Sequence, residues 1–410
     1  MSSVGDILAG MATSPPLATD TIVDVLLAEI EADPYPLYAW MRREQPIAWV
    51  PATERLWITT WDLCAEAGAA DEIFGPTTAV HELVYGLPNV MAMTGEEHRQ
   101  ARAPLDARFR PRAVNEYAET VVRPTAVRYI EEVRALGRAE LTGEVLERIS
   151  SRAVGDVLGL GVSDETLLRW FHGLAAYLDD LGRGDPAIGA NAGVIKAELR
   201  EYLAGRIDGL RARRDGSTLD HMVHHGLPEG QMRSADQIVG TVGTMIVGGF
   251  QEPAHGAANA LLGLLGRPDQ AAAVAADPMG LSAATVHEGL RWIPPFNMTE
   301  KLTAADVVIG GKTISAGTEI AMVIGSANRD ETRFDHPEVF DLHRDRVNNF
   351  AFGFGAHFCV GHYIARQVAQ ITVEELFTRL PGLRLDPDRE PVVHGWMVRA
   401  AKALPVVWDA

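Results

Sequence analysis

Residues 350–366 read Phe-Ala-Phe-Gly-Phe-Gly-Ala-His-Phe-Cys-Val-Gly-His-Tyr-Ile-Ala-Arg, with glycines at 353, 355 and 361 around Cys359. Glycine tolerates positive φ and lets the backbone approach a flat ligand closely. The residues after Gly361 follow a helical pattern, so the Cys359 sulfur is expected beside a helix N-terminus. That position lowers a thiol pKa and offers backbone N–H groups to a thiolate. A lone cysteine is by default a small buried hydrophobe, and Cys64, which lacks such surroundings, keeps that reading. Two cysteines make a disulfide framework an unlikely basis for the fold.

Outward from this loop, the chain reads as mainly α with minor β at its two ends. Residues 1–20 read as a loose tail, and residues 21–410 as one domain without a dividing linker. Thr21–Ala32 is amphipathic, and Asp33-Pro34-Tyr35-Pro36 suits the start of a helix over 36–44. Ile47–Val50 and Leu56–Thr60 suggest a hairpin. Residues 112–300 carry long Ala/Leu/Arg/Glu segments and are expected to be helical. Strand signals return at Val307–Ile309 and Glu319–Ile324, with short strands near the C-terminus. Ser234 with Gln237 fits a capping box that opens a long apolar helix running through Gly248, Gly249, Gln251, Glu252, Pro253 and His255. Pro253 lacks an N–H and leaves the Gly249 carbonyl without its helical donor, so a kink or groove is expected there.

The 410 residues carry a formal charge of −18 and are 47% hydrophobic. That charge repels polyanions, so nucleic acid and anionic membrane surfaces are excluded as partners. No run approaches eighteen apolar residues, and the first twenty lack the pattern of a signal peptide. A cytoplasmic location is expected. No GxGxxG follows a strand signal, and no set of cysteines suits an iron–sulfur cluster.

The spacing Phe352-Gly353-x-Gly355-x-His357-x-Cys359-x-Gly361 resembles the haem-binding loop of the cytochromes P450 at each defining position. The resemblance implies the P450 fold and haem b, with iron held by the Cys359 thiolate. A thiolate pushes electron density toward iron-bound oxygen and favours O–O cleavage. It further implies that Phe352 packs on the sulfur and that His357 meets a haem propionate. His98 and Arg102, in His98-Arg-Gln-Ala-Arg102, are implied propionate ligands, since both donate well to carboxylates. Lys301 stands where many relatives carry another such arginine. Glu288-Gly-Leu-Arg291 and Arg344 resemble the family's buried Glu–Arg–Arg network, a structural device.

Most of the family carries an acid followed by threonine in the long helix, a pair that delivers protons to bound dioxygen. This chain has Gln251-Glu252-Pro253-Ala254-His255-Gly256 instead. That pattern, with Glu288-Gly-Leu-Arg-Trp292, resembles the bacterial P450s that O-demethylate methoxyphenols such as guaiacol and syringol. The resemblance implies hydroxylation of an aryl O–CH3 group and collapse of the hemiacetal to a catechol-type phenol and formaldehyde. Glu252 is then the proton donor, with Gln251 orienting it or a water. Glu252 would also handle the proton of H2O2, supporting peroxide-driven turnover beside that with O2. Substrate contacts are expected from Tyr85, Met91, Leu178, Gly249, Phe296, Met298, Thr299 and Val398, with Gly249 facing the haem. Leu178 and Val398 leave more room than phenylalanine, favouring syringol or a 4-alkylguaiacol. Tyr85 either hydrogen-bonds the substrate phenol or packs in the core. Electrons are expected from a separate NAD(P)H-dependent flavin/[2Fe–2S] reductase docked near Arg108, Arg110, Arg112 and Arg366. Two other readings stand beside this one: a P450 hydroxylase of a terpene or polyketide, and a haem-thiolate sensor or carrier without oxygen chemistry.

Overall fold

The computed structural model describes residues 21–70, 74–75, 78–181 and 183–409, so the expected tail over 1–20 lies outside the described residues. Numbering the principal helices in chain order, these are α1 (Tyr35–Glu44), α2 (Thr78–Val84), α3 (Gly95–Arg108), α4 (Glu147–Leu158), α5 (Asp164–Asp180), α6 (Pro186–Ala212), α7 (Ala235–Leu265), α8 (Pro278–Trp292) and α9 (His362–Arg379). The fold is mainly helical with small sheets at its margins, as expected from the sequence.

The longest helix, α7, organises the rest. Ser234 and Gln237 form the expected reciprocal capping box, and thirty-one residues follow without a break. Its Ala, Val, Leu and Gly residues are buried almost all round, and α4, α5, α6, α8 and α9 pack against it. Such a helix is stable only inside a core. Two glycines allow its close contacts. A Cβ on Gly289 of α8 would lie 2.6 Å from Ala260 Cα, and one on Gly263 would lie 2.3 Å from the Phe340 ring.

Pro253 does not leave a bare carbonyl. The Ser150 hydroxyl on α4 donates to Gly249 O at 3.2 Å and replaces the missing amide. The groove expected there is therefore closed on that side by α4.

The larger sheet is built from β1 (Ile47–Val50), β2 (Arg55–Ile58), β3 (Phe74–Gly75), β5 (Thr299–Thr303) and β8 (Glu319–Met322), in the order β1-β2-β8-β5-β3. The hairpin β1–β2 is antiparallel, with Ile47 opposite Ile58, and its turn is the short 3-10 segment Pro51–Thr53. The amphipathic stretch from Thr21 is helical only over Leu27–Ala32. Its start runs beside β1 instead, with Val23 N donating to Trp49 O at 2.9 Å and Trp49 N to Thr21 O at 3.1 Å. An edge strand needs such partners, and this one outweighs helical periodicity. Three smaller sheets pair β6 (Val307–Ile309) with β7 (Lys312–Ile314), β10 (Val392–His394) with β11 (Ala400–Ala403), and β12 (Pro405–Val407) with β4 (Arg138–Glu140) and β9 (Arg384–Leu385). No helix among the described residues is long and apolar enough to cross a membrane.

Candidate active site

The Cys359 loop is a closed turn. Cys359 N donates to Phe352 O at 3.0 Å, and Gly353 N to Phe350 O at 2.9 Å. Gly353 at φ 74 and Gly355 at φ 59 make these bends, which side-chain-bearing residues adopt rarely. Gly361 has φ −83, so its role differs. A Cβ there would stand 3.8 Å from the Cys359 sulfur, and its backbone hydrogen-bonds the sulfur.

The loop is braced from behind. Glu288 takes both guanidinium bonds of Arg291, at 2.7 and 2.8 Å, and a third from Arg344 at 3.2 Å. Arg291 also donates to Asn328 O at 3.1 Å, and Asn328 Oδ1 accepts from Phe350 N at 2.9 Å. The buried Glu–Arg–Arg network thus reaches the first residue of the cysteine loop. Among buried charges this arrangement is stable because each carboxylate and guanidinium bond is satisfied.

Three of the residues expected at a propionate converge on this loop. The rings of His98 and His357 lie 4.2 Å apart, and Arg102 Nη1 donates to Ala356 O at 3.2 Å. Lys301 is buried on β5 and shares a strand face with Thr299 two residues before it. Thr299 reaches the loop itself: its Oγ1 would be 4.0 Å from a Cβ on Gly353. Phe352 gives its carbonyl to Cys359, and its ring is covered by the Arg366 guanidinium at 4.3 Å. Arg108 similarly turns to the Tyr117 ring at 5.5 Å, while Arg110 and Arg112 are exposed. The expected surface cluster of four arginines therefore reduces to the latter two, because rings draw the other pair in.

The Cys359 thiol does not show the expected lowered pKa. Burial pushes it up to about 11 against the pull of the Gly361 backbone, and the Glu252 carboxylate adds to the rise. The helix α9 begins at His362, three residues after Cys359. A bound cation inverts this balance, since a coordinating thiol is deprotonated outright.

Glu252 and Cys359 are near enough for the carboxylate charge to act on the thiol. Along the middle of α7, Thr244, Met245, Gly249 and Glu252 are half-buried and Gly248 is exposed, whereas most of the helix is buried. A Cβ on Gly248 would lie 3.3 Å from Glu252 Oε2, which places both on the open face. Gly249, expected on that face, instead points at Val154 of α4, 3.0 Å from its would-be Cβ. The i, i+4 spacing from Glu252 singles out Gly248, a signal present in the sequence. Burial pushes the Glu252 carboxyl up to about 8, opposed by its own backbone hydrogen bond and Lys402. Its Oε2 is buried without a hydrogen-bond partner, and so is Gln251 Oε1. No hydrogen bond joins the two side chains.

The expected substrate contacts separate into groups. Tyr85 is buried against Gly243 of α7, and burial followed by the Glu252 charge raises its phenol pKa. Met91 is half-buried in the short turn after Asn89, whose amide donates to Thr244 Oγ1 at 2.7 Å. Phe296 and Val398 form an isolated β-bridge. Leu178 and Val398 line a cavity of about 60 Å³ with Asp179, Trp396 and Lys402. That is far below the roughly 300–1,000 Å³ of a small-molecule site, so this cavity alone does not hold a substrate. Met298 departs from the expectation: it is fully buried in a separate cluster with Tyr38, Met41 and Trp57. Met298 immediately precedes β5 and packs into that cluster, while Thr299 opens the strand beside the cysteine loop.

Sequence reasoning passed over His255 and Glu147. His255 was visible only as a letter in the Gln-Glu-Pro-x-His-Gly run, and Glu147 lies some hundred residues upstream, so only folding brings them together at 3.7 Å.

The cytochrome P450 family profile matches residues 195–381. The cytochrome P450 monooxygenase PikC of Streptomyces venezuelae is 30% identical over 97% of this chain and 96% of its own. The C-19 steroid 1alpha-hydroxylase of Sorangium cellulosum is 32% identical over 73% of this chain and 76% of its own. The crystal structure of CalO2 superposes with a TM-score of 0.83 at 27% identity, covering 93% of this chain and 97% of that one. With the braced cysteine loop and the long central helix, these likenesses establish that the chain belongs to the cytochrome P450 family, monooxygenases that bind haem b through a cysteine thiolate.

Proposed function

We propose that this protein is an aryl O-demethylase of lignin-derived methoxyphenols, with residues 21–410 acting as one domain around a haem held by Cys359. The residues present fit that group. The sulfur sits on a glycine-bent loop within electrostatic reach of Glu252 on α7, and His98, Arg102 and His357 gather at one edge to take the propionates. Lys301, on the same strand face as Thr299, completes that set. When bound, the haem supplies activation of dioxygen for insertion of one oxygen atom into a C–H bond.

The observation that carries the reading is the Glu252 carboxyl, whose Oε2 is buried without a hydrogen-bond partner and which burial pushes up to about 8, on the side of α7 that Gly248 leaves open. A carboxyl with such a pKa holds a proton near neutrality and releases it to a stronger base. It stands where most of the family has a hydroxyl. Gln251, buried beside it, presents an amide oxygen for a water. The same proton store serves hydrogen peroxide, so peroxide-driven turnover belongs to the proposal. Tyr85 and Phe296 exclude water and hold an aromatic ring. Oxidation of the methyl gives a hemiacetal, which collapses to a phenol and formaldehyde. Electrons come from a separate NAD(P)H-dependent flavin/[2Fe–2S] reductase, with the exposed Arg110 and Arg112 near its docking face.

The relatives' names favour a second reading, hydroxylation of a larger ring system such as a steroid. Titrating the ferric protein with syringol, guaiacol, 4-propylguaiacol and a C-19 steroid separates the two. A complete high-spin Soret shift with a methoxyphenol, and formaldehyde released in step with NADH consumed, is the expected result. A shift with the steroid alone sinks the demethylase reading.

A further inference from the structure

Three titratable side chains run from the surface to within one turn of Glu252. His172 on α5 is 56% exposed, and its Nε2 stands 2.8 Å from Glu147 Oε2. The Glu147 side chain is 14% exposed, and its other oxygen lies 3.7 Å from Nε2 of His255, which is 2% exposed. The opposite nitrogen of that ring, Nδ1, is buried without a hydrogen-bond partner. Buried polar atoms are nearly always paired, so His255 Nδ1 has a free hydrogen-bonding position on the protein side. His255 follows Glu252 by three residues on α7 and therefore shares its side of the helix. Glu252 Oε2 is also buried and open.

The charges around this row sort by role. Burial alone would raise the Glu147 carboxyl, yet hydrogen bonds from His172 and His255 bring it down to about 2. Burial lowers the His255 pKa, and Glu147 opposes that by favouring the imidazolium. Asp179 on α5 and Lys402 on β11, 3.7 Å apart, act on both Glu252 and His255. They form no hydrogen bond with either.

We propose that His172, Glu147 and His255 form a proton relay that reloads Glu252 from solvent. The relay rests on Glu252 as the proton store and is independent of which substrate is oxidised. His172 takes a proton from water and passes the one on Nε2 to Glu147 Oε2. After rotation of the carboxyl, Glu147 hands it to His255 Nε2, and His255 releases the proton on Nδ1 to the Glu252 carboxylate. One proton enters, one leaves, and no electron moves. His255 and Glu147 are positioning residues, since they act through Glu252.

The test follows the C=O stretch of the protonated Glu252 carboxyl by infrared spectroscopy in the full-length ferric protein after transfer to D2O. Glu252→Gln identifies the band by its loss. His255→Gln and Glu147→Gln are expected to slow its H/D exchange about tenfold or more, and to raise the solvent isotope effect on turnover. His172→Gln, at the exposed end where folding is not at stake, is expected to slow it as well. Glu116→Gln, exposed and outside the row, is expected to leave the rate as it was. Unchanged exchange in His172→Gln and in whichever inner variants fold, or equal slowing in Glu116→Gln, overturns the relay. Absence of the band in the unsubstituted protein overturns Glu252 as proton store first, and the relay with it.

Discussion

At the scale of single residues, Cys359 and Glu252 are both shifted by desolvation. Cys359 has its thiol pushed up to about 11, and Glu252 its carboxyl to about 8. Cys359→Ser removes the only sulfur on that loop. The reduced, CO-bound haem is expected to lose the Soret position given by a thiolate, with activity reduced by orders of magnitude, while Cys64→Ser keeps both. Glu252 makes stability depend on pH. Its folded pKa of about 8 exceeds the ordinary 4.5, so the unfolded chain ionises first. The contribution is fully present below pH 4.5 and is lost as pH rises through about 8. Glu252→Gln removes this loss. Its melting temperature relative to the unsubstituted protein is expected to climb between pH 5 and pH 9, and a flat difference refutes the burial argument.

At the scale of elements, α7 is a scaffold whose neighbours correct its defects. The Ser150 hydroxyl meets the Gly249 carbonyl that Pro253 cannot serve. Ser150→Ala leaves that carbonyl buried and unpaired, and urea unfolding is expected to show a loss of about 1–3 kcal/mol. The α7–α8 contact depends on Gly289, whose added Cβ would meet Ala260 Cβ at 2.5 Å and Cα at 2.6 Å. Both atoms belong to a helix that has no room to retreat, so Gly289→Ala is expected to cost about 1–3 kcal/mol as well. A change under about 0.5 kcal/mol in either variant contradicts these contacts as drawn.

Across the whole molecule, the Glu288–Arg291–Arg344 network joins the helical core to the cysteine loop through Asn328 and Phe350. Arg344→Leu strips one cation from a buried carboxylate. Breaking such a set by removing one partner costs about 3–5 kcal/mol. Unfolding is expected to shift by that amount, and haem retention on gel filtration to fall with it. Stability reduced with haem fully retained would separate the network from the loop. The charge of −18 leaves the exposed Arg110 and Arg112 as a local exception on an acidic molecule. The proposed docking of an electron donor there is expected to weaken with salt, since screening at 0.15 M acts over about 8 Å.

Local chemistry made much of this legible before folding. Glycines at 353 and 355 announce a bent loop, Ser234 and Gln237 a helix start, and Glu288 with Arg291 a same-face pair, because each acts through neighbours in sequence. The family resemblance carried by residues 352–361 then placed the cysteine, the helix and the network in one fold. What depended on distant chain was not legible. Thr21–Val23 pairs with β1 because an edge strand needs hydrogen bonds, not because of its own pattern. Gly249 turns to Val154 and Gly248 opens to the site because packing with α4 sets the rotation of α7. Met298 and Thr299 part company because Met298 packs into a separate cluster just before the strand that Thr299 opens. Glu147 meets His255 only where α4 crosses α7, since desolvation and proximity between remote residues exist only once the core has closed.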